Sequence, residues 1–241
     1  MIPDTTKTKR LEKDIQDIAA FPESEFAGII REVGFECDCC GKCCTSEYND
    51  HVFLMDEDTL RIVENVGMDY LQPAPYYDFC DNLGRFYVMG YALKSKTNGN
   101  CIFYTGNKCE HYDIRPAICR IYPYMLHREE DEHGNAGFRQ VSGLGEHGTY
   151  HNDIDNGTCR KIFEDVKKYE TAFLKQKIMF LDLINNHFKK HGLRHKRQMY
   201  DKRMRDFEKG GKIEVYVFYN GEFDKNVISK QIINNDDIIR D

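Results

Sequence analysis

The amino-acid sequence predicts an α+β fold, in which an irregular cysteine-rich core with short strands is flanked by helices and followed by a long helix and a β-hairpin. Two patterns carry this prediction besides the cysteines. Apolar residues recur at helical spacing over about 160–190. Near the C-terminus, two β-forming segments are separated by Asn220-Gly221, which is a strong hairpin turn signal.

Composition and charge restrict the class of protein. The chain has 241 residues, 41% of them hydrophobic and 31% charged, which is enough to build a buried core. The net charge of −6 gives no reason to expect a nucleic-acid partner. No apolar run approaches the roughly 20 residues that span a bilayer. The N-terminus lacks the apolar core of a signal peptide. We therefore expect a cytoplasmic protein with no membrane segment, in which ten cysteines favour metal thiolates over disulfides.

The first 34 residues predict two helices, which form the first of three expected regions (1–34). Leu11, Ile15 and Ile18 stand at helical spacing and indicate a short amphipathic helix ending near Ala20. Pro22 interrupts this pattern. Ser24 is then expected to cap a second helix that runs to about residue 33 and leads into the cysteines.

The stretch 35–44 holds half of the cysteines of the chain. Four of them, Cys37, Cys40, Cys43 and Cys44, have the spacing C-x2-C-x2-C-C. A C-x2-C turn lets two thiolates converge on one metal, and Gly41 can adopt the positive φ that such a turn often needs. Adjacent side chains leave an extended backbone on opposite sides, so Cys43 and Cys44 would more naturally serve two metal centres.

The residues that follow predict one helix and several short strands. Asp56 is expected to cap a helix that ends at Gly67. Pro116 and Pro123 leave room for only a very short helix, in the loop that presents Cys119. Short strands are predicted over 51–55, 86–93, 101–104 and 137–142.

The last third of the chain predicts a helical extension with a terminal hairpin. Thr158 is expected to cap the long helix over about 160–190. The segment 189–212 holds ten Lys or Arg against three Asp or Glu, a local charge of +7. Strands are predicted over 213–218 and 227–233. With the first region, these features divide the chain into 1–34, a cysteine-cluster domain over 35–160 and an extension over 161–241.

Four further cysteines complete a set of eight candidate metal ligands. These are Cys101, Cys109, Cys119 and Cys159, which leaves Cys39 and Cys80 as extras. Eight thiolates fit two four-thiolate centres, either zinc ions or cubane iron–sulfur clusters. They also fit a single cluster with the remaining thiols in reserve. The spacing does not decide between these alternatives.

Three motifs carry a family resemblance: F-x-C-x2-C-G-x-C-C at 35–44, C-x-F-Y from Cys101, and C-x9-C-R-x-Y-P from Cys109 to Pro123. They resemble the CxxCxxCC cysteine-cluster family, the YkgJ-type zinc- or iron-chelating proteins. The resemblance implies eight cysteines that chelate an iron–sulfur cluster or zinc. A related cluster occurs in flagellin lysine N-methylases, which use S-adenosylmethionine. Cys39 departs from the pattern because it stands beside Cys40.

Charged and aromatic residues surround the second group of cysteines. Arg115 and Arg120 flank Cys119, where they could offset the negative charge of a thiolate site. The alternative is a surface ion pair with Asp113 or Glu110. Eight thiols already suffice as ligands, so a solvated or structural role is favoured for the histidines that could substitute for them, His51, His111, His147 and His151.

Three functional hypotheses follow from these observations. The first is a metal-cluster protein that binds a 4Fe-4S iron–sulfur cluster, or zinc, and serves redox or electron transfer with a protein partner. The second is a structural zinc protein that binds a macromolecular partner through the basic segment 189–212. The third is an S-adenosylmethionine-dependent methyltransferase. The sequence shows no catalytic constellation that identifies an enzyme.

Overall fold

The computed structural model describes residues 5–47, 50–130, 136–140 and 147–229. Helices and short strands alternate along these residues, and the predicted α+β class is confirmed. The helices are α1 (Thr5–Ala20), α2 (Glu23–Val33), α3 (Asp56–Val66), α4 (Ala117–Ile121), α5 (Asn156–His191) and α6 (Arg197–Glu208).

The strands are short except in the C-terminal hairpin. They are β1 (Leu71–Pro73), β2 (Phe79–Cys80), β3 (Phe86–Val88), β4 (Tyr91–Leu93), β5 (Tyr104–Thr105), β6 (Lys108–Cys109), β7 (Leu126–Glu130), β8 (Ala136–Gln140), β9 (Lys212–Tyr219) and β10 (Glu222–Ser229). The main sheet has the order β10-β9-β3-β2, and the pairs β1-β4, β5-β6 and β7-β8 form two-stranded sheets.

The predicted N-terminal helices form and pack on the long helix α5. The rings of Phe26 on α2 and Phe163 on α5 lie 5.4 Å apart between centroids. The Lys167 ammonium donates to the carbonyl of Ala19 at the end of α1. Ser24 does not cap α2, because the helix begins one residue earlier and Pro22 precedes it.

Helix α5 runs further than the predicted range and has a different cap. The Asp155 carboxylate accepts hydrogen bonds from the backbone N–H groups of Gly157 and Thr158, at 2.7 and 3.0 Å. Thr158 was predicted as the cap from the sequence, but its hydroxyl donates to the same carboxylate. Among the helices that the structure describes, none is both long enough and apolar enough to cross a membrane.

The C-terminal hairpin forms with the predicted turn. Asn220 and Gly221 have φ of 49° and 81°, the two positive values that a tight hairpin turn of this kind requires. Strand β9 also pairs in parallel with β3, so the hairpin extends a sheet that begins in the middle of the chain. Strand β10 ends at Ser229, and residues 230–233 of the predicted strand lie outside the described residues.

Several predicted strands are shorter than expected or absent. The range 86–93 divides into β3 and β4, which are separated at Met89 and Gly90. In the range 51–55, only Phe53 pairs, through a single bridge to Ala92. The range 101–104 contributes a bridge from Cys101 to Ser95 and the first residue of β5. Of 137–142, residues 141 and 142 lie outside the described part of the chain.

Two buried apolar clusters connect regions that the sequence placed in separate domains. One cluster joins α1, α2 and α5, and the other joins α3, the main sheet and the inner side of α6. Helix α5 continues through residue 160, and β9 joins β3 across the same predicted boundary. The division into three domains stays a prediction.

Candidate metal centre

One cavity of about 210 Å³ gathers eight of the ten cysteines. Seven of them are among the eight predicted ligands, and the eighth is Cys39. The predicted ligand Cys159 does not line this cavity. The thiols on its wall are Cys37, Cys39, Cys40, Cys43, Cys44, Cys101, Cys109 and Cys119.

Three of these thiols form a hydrogen-bonded chain. The thiol of Cys44 hydrogen-bonds to those of Cys43 and Cys109. Its hydrogen bonds lower the pKa of Cys43 and of Cys109 to about 7, and they raise the pKa of Cys44 itself. The thiols of the adjacent Cys43 and Cys44 therefore lie close together, and the expectation that they serve two metal centres stays a prediction.

Cys101 and Cys119 complete what we call the inner thiols: Cys43, Cys44, Cys101, Cys109 and Cys119. Burial raises the pKa of Cys101 to about 11 and that of Cys119 well above its ordinary value. The nearby thiols of Cys43 and Cys109 raise both values further, because they would place like charges side by side. The ionisation of each of the five thiols is influenced by at least one other.

The three remaining thiols, Cys37, Cys39 and Cys40, lie on a loop at the cavity mouth, and we call them the outer thiols. Cys37 and Cys39 are exposed, and Cys40 is half-buried. Burial, and then hydrogen bonds to the thiols of Cys37 and Cys39, raise the pKa of the Tyr112 hydroxyl to about 12. Within the loop, the Cys40 N–H donates to the Asp38 carboxylate at 3.1 Å.

A left-handed glycine joins the outer thiols to the inner ones. Gly41 has φ of 73°, which confirms the positive φ predicted for it. A Cβ at this position would lie 2.6 Å from the Tyr104 ring and 2.9 Å from the Asn107 carbonyl oxygen. The following turn over residues 42–44 is a 3-10 helix, and the Cys101 N–H donates to the Cys44 carbonyl at 2.8 Å. This hydrogen bond brings two distant cysteines together.

Cys119 is presented by α4, the very short helix that the two prolines predict. The buried Asp58 carboxylate accepts the Ala117 N–H at the start of this helix, with both oxygens at 3.1 Å. Asp58 also pairs with Arg61, whose guanidinium donates to the Arg115 carbonyl at 3.2 Å. Sequence reasoning missed Asp58, because nothing in its local sequence indicates a partner 59 residues away.

Both arginines that flank Cys119 line the cavity. The Arg115 guanidinium lies 3.9 Å from the centre of the Tyr112 ring, a cation–π contact. Arg120 donates to the Arg115 carbonyl at 3.3 Å. The positive charge of Arg115 helps to lower the pKa of Cys43 and Cys109, after the larger effect of their hydrogen bonds. Arg115 is therefore placed to offset thiolate charge.

Cys159 and Cys80 lie in the protein core. Cys159 is 1% exposed, and its thiol donates to the Ile154 carbonyl at 3.8 Å. It stands in the apolar stripe of α5 with Phe163 and Val166, at spacings of four and seven residues, a helical pattern that could have identified it as a core residue. The Cys80 thiol donates to the Asp81 carbonyl. The structure does not bring Cys159 to the seven other predicted ligands.

Two of the four candidate histidines line a cavity together with cysteines. The His147 ring stacks on Tyr122, with centroids 5.2 Å apart, on the wall of the cavity. His51 borders a small adjoining cavity with Cys43, Cys44 and Cys101. His111 packs edge-on against aromatic rings, and His151 lies in a turn beside α2.

The donor set fits the metals that the sequence predicts. All ten cysteines are free, and thiolates are the ligands that zinc and iron–sulfur clusters share. Across the described ranges of the chain, no three His, Cys, Asp or Glu side chains stand as placed in a metal-holding arrangement. The choice of individual ligands stays a prediction.

Comparison with known proteins agrees with the position of the cavity. Residues 36–142 match the CxxCxxCC family model, which is described as "Putative zinc- or iron-chelating domain". The matched range contains every cysteine that lines the cavity and excludes Cys159. No curated protein and no solved structure matches the chain.

Proposed function

Since the chain carries a zinc- or iron-chelating domain of the CxxCxxCC family, we propose that its inner thiols hold a 4Fe-4S cluster and that the protein transfers electrons. Four cysteine thiolates hold such a cluster, and the inner group offers five. The cluster, when bound, supplies a site that gains or loses one electron, which zinc cannot do. The protein supplies the thiolates, the surrounding charge and the exclusion of water.

The size of the cavity is the observation that favours a cluster. Its volume of about 210 Å³ equals roughly seven water molecules, each taking about 30 Å³ in the liquid. Structural zinc sites are closed, with four sulfur atoms at about 2.3 Å from the ion. The cavity that the thiols line is therefore larger than one zinc ion needs, and it suits a multi-atom cluster.

The cavity wall also supports this proposal. Phe35, Phe103 and Ile162 contribute apolar surface to the cavity. Arg115 and Arg120 contribute positive charge. A cluster with four thiolates carries a net negative charge, and reduction by one electron adds a further negative charge. Nearby guanidinium groups therefore favour the reduced form. Burial and hydrogen bonding to sulfur are the means by which proteins set cluster potentials.

We place this function in the reducing cytoplasm, where ten free thiols are stable. The partner in this proposal is a protein that donates or accepts electrons. Two of the outer thiols, Cys37 and Cys39, are exposed, so a partner can approach the cavity from their side. The basic segment 189–212 is a second surface to which an acidic partner could bind.

The test is the metal and acid-labile sulfide content of protein purified without oxygen, together with its visible spectrum. We expect iron and sulfide at about four each per chain and a brown colour that dithionite bleaches. The double variant C43S/C109S leaves only three of the five inner thiols and should remove most of the iron and sulfide. Cys159→Ser is the matched control, because this thiol is buried away from the cavity, and it should retain both.

Zinc without sulfide in the wild-type protein would overturn the redox proposal. The chain would then be a structural zinc protein, and the basic segment would become the first place to look for a partner. Iron and sulfide that are retained in C43S/C109S and lost in Cys159→Ser would show that the inner group is wrongly assigned.

A further inference from the structure

A second cavity adjoins the thiol cavity and contains no cysteine. Its volume is about 290 Å³, close to the lower end of the range of about 300–1,000 Å³ that small-molecule sites have. Helix α4 contributes to both cavities, because Cys119 lines the first, Ala117 and Ile121 line the second, and Arg120 lines both. The second cavity is large enough for a small organic molecule.

Helix α5 forms the longest wall of the second cavity. The residues that it contributes recur every three or four positions, so they form one stripe along the helix: 165, 168, 169, 172, 175, 176 and 179. A helix rises 1.5 Å per residue, so this stripe is about 21 Å long. The start of α3 and the whole of α4 supply the remaining walls. The cavity is therefore elongated along α5.

The floor of the second cavity is buried and mostly apolar. Met55, Ile121 and Tyr169 are each less than a tenth exposed, at 6%, 3% and 8%. The one buried amide there, Gln176, already has partners in the protein. Its oxygen accepts the Asp56 N–H at 3.1 Å, and its nitrogen donates to a main-chain carbonyl at 3.1 Å. A ligand can therefore cover this floor with an apolar group.

Most charged side chains on the walls also have partners. Glu57 pairs with Lys168 at 3.5 Å across the gap between α3 and α5. The buried Asp58 pairs with Arg61, and Asp56 accepts a main-chain N–H at 3.0 Å. Within the described ranges, three charged side chains of the walls form no ion pair: Arg120, Asp165 and Lys175.

Two of these unpaired charges, opposite in sign, lie toward the same end of the cavity. Tyr124, just after α4, packs on Phe26 with ring centroids 6.4 Å apart, and Phe26 packs on Phe163 of α5 at 5.4 Å. These contacts direct the end of α4, with Arg120, toward the part of α5 that carries Asp165. The third charge stands ten residues further along α5, a rise of about 15 Å.

We propose that the second cavity binds a free α-amino acid with a large apolar side chain. Its carboxylate pairs with Arg120, whose guanidinium can offer two parallel N–H donors, and its ammonium pairs with Asp165. The side chain lies along α5 over the buried floor. A zwitterion satisfies both unpaired charges at this end, whereas a simple acid or a simple amine satisfies only one. This site goes beyond the proposed function and needs no particular metal at the inner thiols.

The test uses methyl NMR spectra of the full chain labelled with ¹³C at the methionine methyl groups, titrated with L-phenylalanine. Two methionines line the cavity, Met55 on the floor and Met179 at the opening, and both signals should shift along one saturable curve. Met68 is the internal control, because it is 45% exposed but lies outside the cavity, and its signal should not move. Unmoved signals of Met55 and Met179, or an equal shift of Met68, would overturn the site.

Two matched probes test the recognition of both charges. Phenethylamine keeps the ring and the ammonium of phenylalanine without the carboxylate, and 3-phenylpropionate keeps the ring and the carboxylate without the ammonium. Each should bind at least about tenfold more weakly than phenylalanine, because each loses one charge-assisted hydrogen-bonded pair. Equal affinities of the three probes would overturn recognition of a zwitterion.

Two variants assign each charge to its partner. Asp165→Asn should weaken phenylalanine and phenethylamine by about tenfold and leave 3-phenylpropionate unchanged. Arg120→Gln should weaken phenylalanine and 3-phenylpropionate and leave phenethylamine unchanged. Glu164→Gln is the matched control, because it is exposed and adjacent in sequence but does not line the cavity. An equal loss for all three probes in either variant would overturn this assignment.

Discussion

The thiol-cavity region and the region of α5 and the main sheet are built in opposite ways. Around the cavity, β5 and β6 have two residues each and α4 has five. In the other region, α5 has 36 residues and each strand of the C-terminal hairpin has eight. One region consists of short pieces joined by turns, and the other consists of long regular elements.

The interactions that hold the two regions differ accordingly. Along α5 and the sheet, fully buried aromatic side chains such as Phe180, Phe188 and Phe218 pack on one another. Around the cavity, distant segments are joined by aromatic contacts such as Phe35–Tyr122, by single backbone hydrogen bonds and by the Asp58 carboxylate. Apolar burial stabilises the first region, and we expect the bound metal to stabilise the second.

Removing the metal tests this difference between the two regions most directly, and we expect it to have the largest effect. Structural zinc in small domains contributes about 10–16 kcal/mol of apparent binding free energy, which is lost on chelation. We expect a chelator under reducing conditions to abolish amide exchange protection over 36–47 and 101–121. Strands β9 and β10 and the centre of α5 should stay protected. Loss of protection throughout the chain would show that the two regions fold as one unit.

Phe180→Ala tests whether apolar burial stabilises the region of α5 and the main sheet. The ring is 1% exposed and lies 5.9 Å from those of Phe79 and Phe218, between centroids. Truncation of a buried phenylalanine leaves a cavity and costs about 3–5 kcal/mol in the free energy of unfolding, measured here in urea. Leu83→Ala is the control, since Leu83 is 64% exposed and its loss should change the stability by less than about 0.5 kcal/mol. A small effect at Phe180 would mean that the core repacks.

Asp58→Ala tests the connection between α3 and the loop that presents Cys119. The change leaves Arg61 without its buried partner and removes the acceptor at the start of α4, so we expect a loss of about 3 kcal/mol and a lower metal content. Glu57→Gln is the control, because its pairing with Lys168 is exposed on both sides and is worth less than about 0.5 kcal/mol. Equal effects of the two changes would contradict a special role for Asp58.

We expect the smallest effects from substitutions of two glycines that differ in backbone conformation. Gly41→Ala places a Cβ against Tyr104 at a left-handed position, and we expect a loss of about 2 kcal/mol together with weaker metal binding. Gly28→Ala lies inside α2 with nothing within 4 Å, and it should gain about 0.5–1 kcal/mol. We would measure the free energy of unfolding and the metal content of both variants and compare them. A neutral Gly41→Ala would show that the turn at the cavity adapts.

The sequence by itself determined the elements whose signals are local. The stripe of apolar residues predicts α5, Asn220-Gly221 predicts the hairpin turn, and Gly41 predicts the left-handed turn among the cysteines. The two prolines limit α4 to a very short helix. Each of these depends on the chemistry of a few neighbouring residues, so no distant contact was needed to recognise it.

The tertiary structure decided which distant residues meet. It pairs β9 with β3, joins Asp58 to the start of α4, and brings Cys101 beside Cys44. It places the Cys159 side chain in the protein core and Cys39 on the cavity wall. The sequence shows how many thiols are available and how they are spaced, but it does not show the direction in which each thiol points. That direction depends on backbone pairing and packing between segments far apart in the chain, which no local pattern records.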